Sequence, residues 1–191
     1  METFYYFAYG SNMLTARLRT STRCPSAEPV AVGNLAGRML AFRKASNDGS
    51  AKCDIPAGTS DDVVHGVVFR IASSERGQLD QAEGVSKGYD VSQAKVVTSH
   101  GTIPCVTYFA TRVSDGLKPY DWYLNLVLAG ALEHSLPEIY VTRIAWTPAA
   151  ADPMPTRQTR LDALLALDSA LEQLPDLKKR LIGAYDGQAL A

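Results

Sequence analysis

The chain has 191 residues, and its 20 acidic side chains against 19 basic ones leave a formal charge of −1 at pH 7. That length fits one domain, or one domain with an appendage, and is enough to bury a core without disulfides or metal. A balance this close to neutral supplies no broad field for nucleic acid or an anionic membrane, and no apolar run is as long as a bilayer span.

The N-terminus lacks the basic start and small-residue cleavage site of a secretory signal. Residues Phe4 to Tyr9 are all apolar or aromatic and predict a buried strand. Gly10-Ser11-Asn12 breaks it, and Met13 to Leu18 suits a short helix that Ser11 or Asn12 would cap. Such a junction aims several N–H groups one way, so it is a candidate cradle for a carboxylate or a developing oxyanion.

A polar loop follows from Arg19 to Ala27. Val30 to Lys44 reads as extended structure broken by Gly33 and Gly37, with Arg38–Phe42 its clearest strand. Ala45 to Ser50 is turn chemistry, Ala51 to Pro56 a short extended piece, and Ala57 to Asp62 a loop. Val63–Ile71 predicts a strand buried on both faces, because both alternating sets are largely apolar. Ser73 or Ser74 then caps a helix from Glu75 to Ala82, which Gly84 stops. Tyr89–Ser99 and Thr102–Thr111 predict a hairpin, with Pro104 marking an edge or a bulge.

Lys118-Pro119-Tyr120 opens a long helix through His134, in which Gly130-Ala131 permits close packing. Ser135-Leu136-Pro137-Glu138 matches a capping box ahead of a helix from Leu136 to Ala145. Trp146 to Pro155 reads as a linker. Leu161, Leu164, Leu167, Leu171 and Leu174 then mark an amphipathic helix expected to pack back on the domain. The expected organisation is one domain over 1–150, then a linker and C-terminal amphipathic helix over 151–191. The element order predicts an α+β fold with a mostly antiparallel sheet able to close.

Cys24, Cys53 and Cys105 are far apart, lack metal-ligand spacing and read as reduced thiols of a cytoplasmic protein. His65, His100 and His134 are equally scattered. Glu83 is the carboxylate that stands out. It ends a predicted helix, where the partial negative charge disfavours an acid, and burial there would raise its pKa into a range useful for general acid–base work. Asp80 lies one turn earlier, either solvated or as a second acidic partner. Tyr108, mid-strand, and Tyr123, in the first turns of the long helix, are buried hydroxyls that either pack or bind.

Together these residues resemble the gamma-glutamylcyclotransferase family. Tyr9-Gly10-Ser11-Asn12 resembles its signature loop. The resemblance continues in order through Asp48–Lys52, His65–Phe69, Leu79–Val85 with Gly88-Tyr89, Thr107-Tyr108, Pro119–Tyr123 and Gly130–His134 with Leu136-Pro137 and Tyr140. It covers about Phe4 to Trp146 and is most similar to the bacterial branch. The resemblance implies a small β-barrel with flanking helices that converts a γ-glutamyl amine or amino acid to 5-oxoproline and a free amine. It implies Glu83 as the acid/base, with Tyr9, Gly10, Ser11, Asn12, Tyr108 and Tyr123 lining the substrate cavity. It implies no cofactor or metal, and a small-molecule γ-glutamyl substrate as partner. A homodimer is left open, and no nucleic acid or membrane is expected. Three other readings stand beside it. One is the same chemistry restricted to glutathione, an isopeptide or a γ-glutamylated biosynthetic intermediate. The others are a non-catalytic binding module on the same fold, and an assembly role for the leucine-rich tail.

Overall fold

The computed structural model describes residues 2–186. In chain order the elements are β1 (Thr3–Ala8), α1 (Thr15–Leu18), β2 (Glu28–Ala36), β3 (Ala41–Ala45), β4 (Ala51–Asp54), β5 (Val63–Ala72) and α2 (Arg76–Glu83). They continue as β6 (Tyr89–Thr98), β7 (Gly101–Ala110), α3 (Asp121–Glu133), α4 (Glu138–Ala145), α5 (Gln158–Gln173) and α6 (Pro175–Asp186). The strands β1-β5-β2-β6-β7 close into a barrel, and β3 and β4 form a separate two-stranded sheet. Every barrel pairing is antiparallel except the closing one, where β1 meets β7 in parallel at Tyr6 and Val106. This is the α+β class expected from the sequence, a small mostly antiparallel barrel with flanking helices.

β5 lies between β1 and β2 and is covered on both faces. Phe69 and His65 point to the helices, their rings 5.8 Å from His134 and 5.0 Å from Tyr140. Val64 and Val68, on the alternate face, are fully buried. α3 is buried almost all round, from Trp122 to Leu132 apart from Asn125. At Gly130 an added methyl would lie 2.5 Å from the Leu14 nitrogen and 2.7 Å from the Met13 carbonyl carbon. The helix therefore presses directly on the backbone that follows β1, and only glycine permits that approach.

Several local expectations shift. β2 runs unbroken through Gly33 and ends at Gly37, whose φ of 71° turns the chain. The strand expected over Arg38–Phe42 falls at Ala41–Ala45, because Arg38 to Leu40 carry the chain from barrel to hairpin and Arg38 makes only an isolated bridge to Ala57. Pro104 sits in a regular register opposite Lys95, before β7 meets β1, so it occupies a free edge and no bulge. No serine caps α2; Ser73–Glu75 form a 3₁₀ turn ahead of it. The capping box at Ser135 does not form. Ser135 has φ 54° and closes α3 instead, its N–H bonding the Leu132 carbonyl while that of Leu136 bonds Ala131. A residue in that conformation cannot also cap the next helix, and Pro137 takes the N-cap of α4.

The C-terminal segment forms two helices where the leucine spacing predicts one. Pro175 separates them: it holds Leu174 out of helical conformation and starts α6 in its own first turn. α5 packs back on the domain as expected, with Leu164, Leu167 and Leu171 partly buried against the core. Ala163, Ala166 and Ala170 are its buried positions, and Leu161, at the start of the stripe, is 39% exposed. Small side chains let α5 lie close on α1 and α3. Gly130→Ala should lower stability by about 1–3 kcal/mol in urea denaturation, through overpacking against backbone. Gly77→Ala, inside α2 with nothing within 4 Å of the new carbon, should raise it by about 0.5–1 kcal/mol. Equal stability of wild type and Gly130→Ala would contradict the contact.

Candidate active site

Six separate segments meet at one end of β1. β1 supplies Tyr6, and the chain just beyond it supplies Tyr9 and Gly10, then a 3₁₀ turn over Ser11–Met13. α2 supplies Glu83 as its last residue. Gly84, at φ 70° and ψ 48°, ends the helix there, and the N–H groups of Gly84 and Val85 satisfy its last carbonyls. β4 supplies Cys53, β6 begins with Tyr89, β7 supplies Tyr108 and α3 supplies Tyr123. All of these except Met13 line one small cavity of about 30 Å³. The seven residues selected from the sequence (Tyr9, Gly10, Ser11, Asn12, Glu83, Tyr108 and Tyr123) are thus together. A wider cleft of about 620 Å³, between α3, α4 and α6, contains none of them.

The turn works differently from the expected cap. α1 has only four residues, with Leu14 at its N-cap and no side-chain cap. Its first amide, on Thr15, is taken by Glu133 Oε2 at 2.9 Å. The Asn12 amide instead donates to Glu83 Oε1 at 2.5 Å and to the Tyr6 oxygen at 3.3 Å. Tyr6 donates to the same Oε1 at 3.1 Å. The backbone N–H groups of Ser11 and Asn12 donate to no protein acceptor among the described residues.

The tyrosines are held firmly. Tyr108 donates to Asp80 Oδ1 at 2.6 Å, so Asp80 serves as that hydroxyl's acceptor while also pairing with Arg76 at 2.9 Å. Tyr9 donates to the Tyr108 carbonyl. Cys53 is pinned from two sides: its N–H donates to the Tyr123 hydroxyl at 3.0 Å, and its carbonyl accepts from Tyr89 at 2.6 Å. Behind this wall Lys52 pairs with Asp48 at 2.9 Å, its ammonium 4.6 Å from the centre of the Tyr123 ring.

Burial pushes the Glu83 carboxyl above the usual carboxylate range. Arg23, the Tyr6 hydrogen bond, Arg17 and Lys44 pull the other way without cancelling it. The hydroxyls of Tyr6, Tyr9 and Tyr123 are all raised well above the ordinary phenol value, chiefly by burial, and stay protonated. Arg17 is pushed down to about 9 by burial, with its Nε donating to Ser11 Oγ at 3.2 Å. None of Arg17, Arg23 and Lys44 has an ion pair among the described residues. The cavity thus joins a carboxyl poised to exchange protons, free backbone donors and neutral phenols, with unpaired positive charge nearby.

The sequence reading omits Tyr6, Cys53 and Tyr89 from the site. Tyr6 lies inside the aromatic run of β1, where nothing local distinguishes it from its neighbours. Tyr89 has a faint signal in the Gly88-Tyr89 pair, and Cys53 has none.

The model of the AIG2-like family matches residues 63–144. The chain is 36% identical over 149 residues to a gamma-glutamylcyclotransferase of Mus musculus and 35% identical over the same length to that of Homo sapiens. Each match covers 75% of this chain and 78% of the relative. A solved structure of a gamma-glutamyl cyclotransferase superposes with a TM-score of 0.77 at 30% identity, covering 87% of this chain and 99% of that one. The chain belongs to the gamma-glutamylcyclotransferase family.

The raised carboxyl has a measurable consequence for stability. A carboxyl whose folded pKa exceeds its unfolded value stabilises the fold fully below the unfolded pKa, about 4.3, and loses that contribution as pH rises through the folded value. Glu83→Gln stays neutral and keeps an acceptor for Tyr6 and Asn12. Its melting temperature should match wild type below about pH 4 and exceed it progressively toward pH 7. A constant difference across that range would mean that Glu83 is not disfavoured as a carboxylate.

Proposed function

We propose that this cavity cyclises γ-glutamyl amino acids or amines to 5-oxoproline, releasing the free amine. The observation that carries the reading is the convergence of Glu83, held with a raised pKa, and of Ser11 and Asn12, with their free amides, on one small cavity. The family membership supports the same reaction.

The chemistry uses each part. The substrate's own α-nitrogen attacks its γ-carbonyl and closes a five-membered ring. Because the nucleophile is tethered, the cavity's main task is to hold the folded-back conformer. The α-ammonium must first give up a proton, and a carboxylate with a modestly raised pKa can take it and later return it to the leaving nitrogen. The tetrahedral intermediate carries an oxyanion that the Ser11 and Asn12 amides can stabilise. The same amides can instead receive the substrate α-carboxylate, and Tyr9, Gly10, Tyr108 and Tyr123 wall the bound γ-glutamyl group.

The free space of about 30 Å³ holds about two waters, so the cavity must widen to take the γ-glutamyl end. The departing amine would then lie outside, on the side of Arg17, Arg23 and Lys44, whose charges act on Glu83. These unpaired cations favour a leaving amine that itself bears a carboxylate, as in γ-glutamyl amino acids and glutathione. We assign catalysis to the unit 1–150, with 151–191 as its appended segment. We read the motif series as that of the bacterial branch, although the relatives compared above are mammalian. Three buried thiols and near-neutral charge suit a cytoplasmic enzyme of small molecules, alone or as a homodimer.

A panel of γ-glutamyl amino acids, γ-glutamyl amines and glutathione, monitored for 5-oxoproline, tests the reading. Turnover is expected on the carboxylate-bearing donors, and silence across the panel would overturn it. Glu83→Gln should cut kcat by about 10²–10⁴-fold, the range of general acid–base catalysis, while melting cooperatively. An active Glu83→Gln protein would remove Glu83 from the proton path.

A further inference from the structure

The two oxygens of Glu83 are not equivalent. Oε1 receives Asn12 Nδ2 at 2.5 Å and the Tyr6 hydroxyl at 3.1 Å, whereas Oε2 accepts from no protein donor among the described residues. Nδ2 also reaches the Tyr6 oxygen at 3.3 Å, so the three groups form a closed triangle. The amide's orientation follows from charge, since turning it over would set its carbonyl against the carboxylate. In this orientation Asn12 Oδ1 is buried without a partner. An asparagine there only to cap or pack would not leave a buried acceptor unsatisfied. Tyr6 is equally constrained: its ring meets Tyr108 edge-on at 5.8 Å, and Tyr108 is itself held by Asp80.

We propose that Tyr6 and Asn12 are positioning residues that clamp Oε1 of Glu83, leaving Oε2 as the one atom that takes and returns the protons of cyclisation. This rests on the cyclotransferase reading above. In the first transfer a proton leaves the α-ammonium for Oε2, and the freed nitrogen pair forms the new C–N bond. That proton passes to the departing nitrogen as its bond to the carbonyl carbon breaks. A second proton follows the same route from the new ring nitrogen to the released amine, which departs as an ammonium. Glu83 ends as the carboxylate it began as, and no other reactant is consumed.

A clamp on the charged form has a signature in pH. Arg23, Arg17 and Lys44 favour the carboxylate from the flanking segments. Asp80, one turn back on α2, is engaged by Arg76 and Tyr108. Tyr9, Tyr89, Tyr108 and Tyr123 remain neutral phenols, and Cys53 remains a thiol pushed up to about 12 by burial. Tyr6→Phe keeps the ring, leaves all of these groups in place and removes one bond to the carboxylate.

The experiment titrates Glu83 by carbon-13 NMR of carboxyl-labelled protein, its signal assigned by loss in Glu83→Gln, beside the pH profile of kcat/KM. In Tyr6→Phe the NMR midpoint and the acid limb should rise together by about one pH unit. Asn12→Asp should move the midpoint the same way and further, because a second carboxylate then replaces a donor. An unshifted midpoint in a folded Tyr6→Phe protein overturns the clamp. Should that variant not fold, an unshifted midpoint in Asn12→Asp overturns it equally. The titration needs no substrate, so a shifted midpoint in a protein silent toward every γ-glutamyl donor overturns the reaction and, with it, the role given to Oε2.

Discussion

A carboxylate withdrawn from water at the negative end of a helix is the constraint around which this molecule is arranged. Glu83 closes α2, where the helix carbonyls already concentrate negative charge. Burial adds to the cost of ionising it. What offsets that cost comes from elsewhere in the chain: a phenol and an amide from the β1 segment, two guanidiniums from α1 and the loop after it, and an ammonium from β3. The barrel brings these pieces together, and Gly130 sets how closely α3 holds the turn that carries Asn12.

The charge of the whole chain conceals this arrangement. A formal charge of −1 predicts no preferred partner, yet three cations outside any ion pair among the described residues act on one buried carboxyl. Net charge sums over the surface, whereas recognition of a small anionic ligand depends on which charges are left unpaired beside the site. The sequence-level exclusion of a broad basic field and the local positive environment are therefore compatible.

What could be read from the sequence follows the range of the interactions involved. The β1 strand and the break at Gly10 were legible because they depend on adjacent residues. Glu83 was legible because Gly84 marks the end of its helix. Tyr6 was not, since its role is fixed by β1 register and by contact with residues 77 positions away. Cys53 and Tyr89 likewise matter only through hydrogen bonds made across the fold. Ser135 misled because its neighbours spell a capping box while its own backbone is committed to ending α3. The leucines of α5 placed its inward side, where Leu164, Leu167 and Leu171 meet the core, but close packing made Ala163, Ala166 and Ala170 the buried positions. Periodicity reports which side of a helix is apolar, but the distance to its neighbour decides which residues are fully covered.

The four residues of α1 are too few to hold a helix on their own. They are kept in shape by α5 lying across them, and Arg17 on α1 reaches back to Ser11 in the cavity wall. α5 therefore acts as a splint on the turn that carries Ser11 and Asn12. A change in α5, far from the cavity in sequence, can stiffen or loosen that turn without altering any residue of the cavity wall.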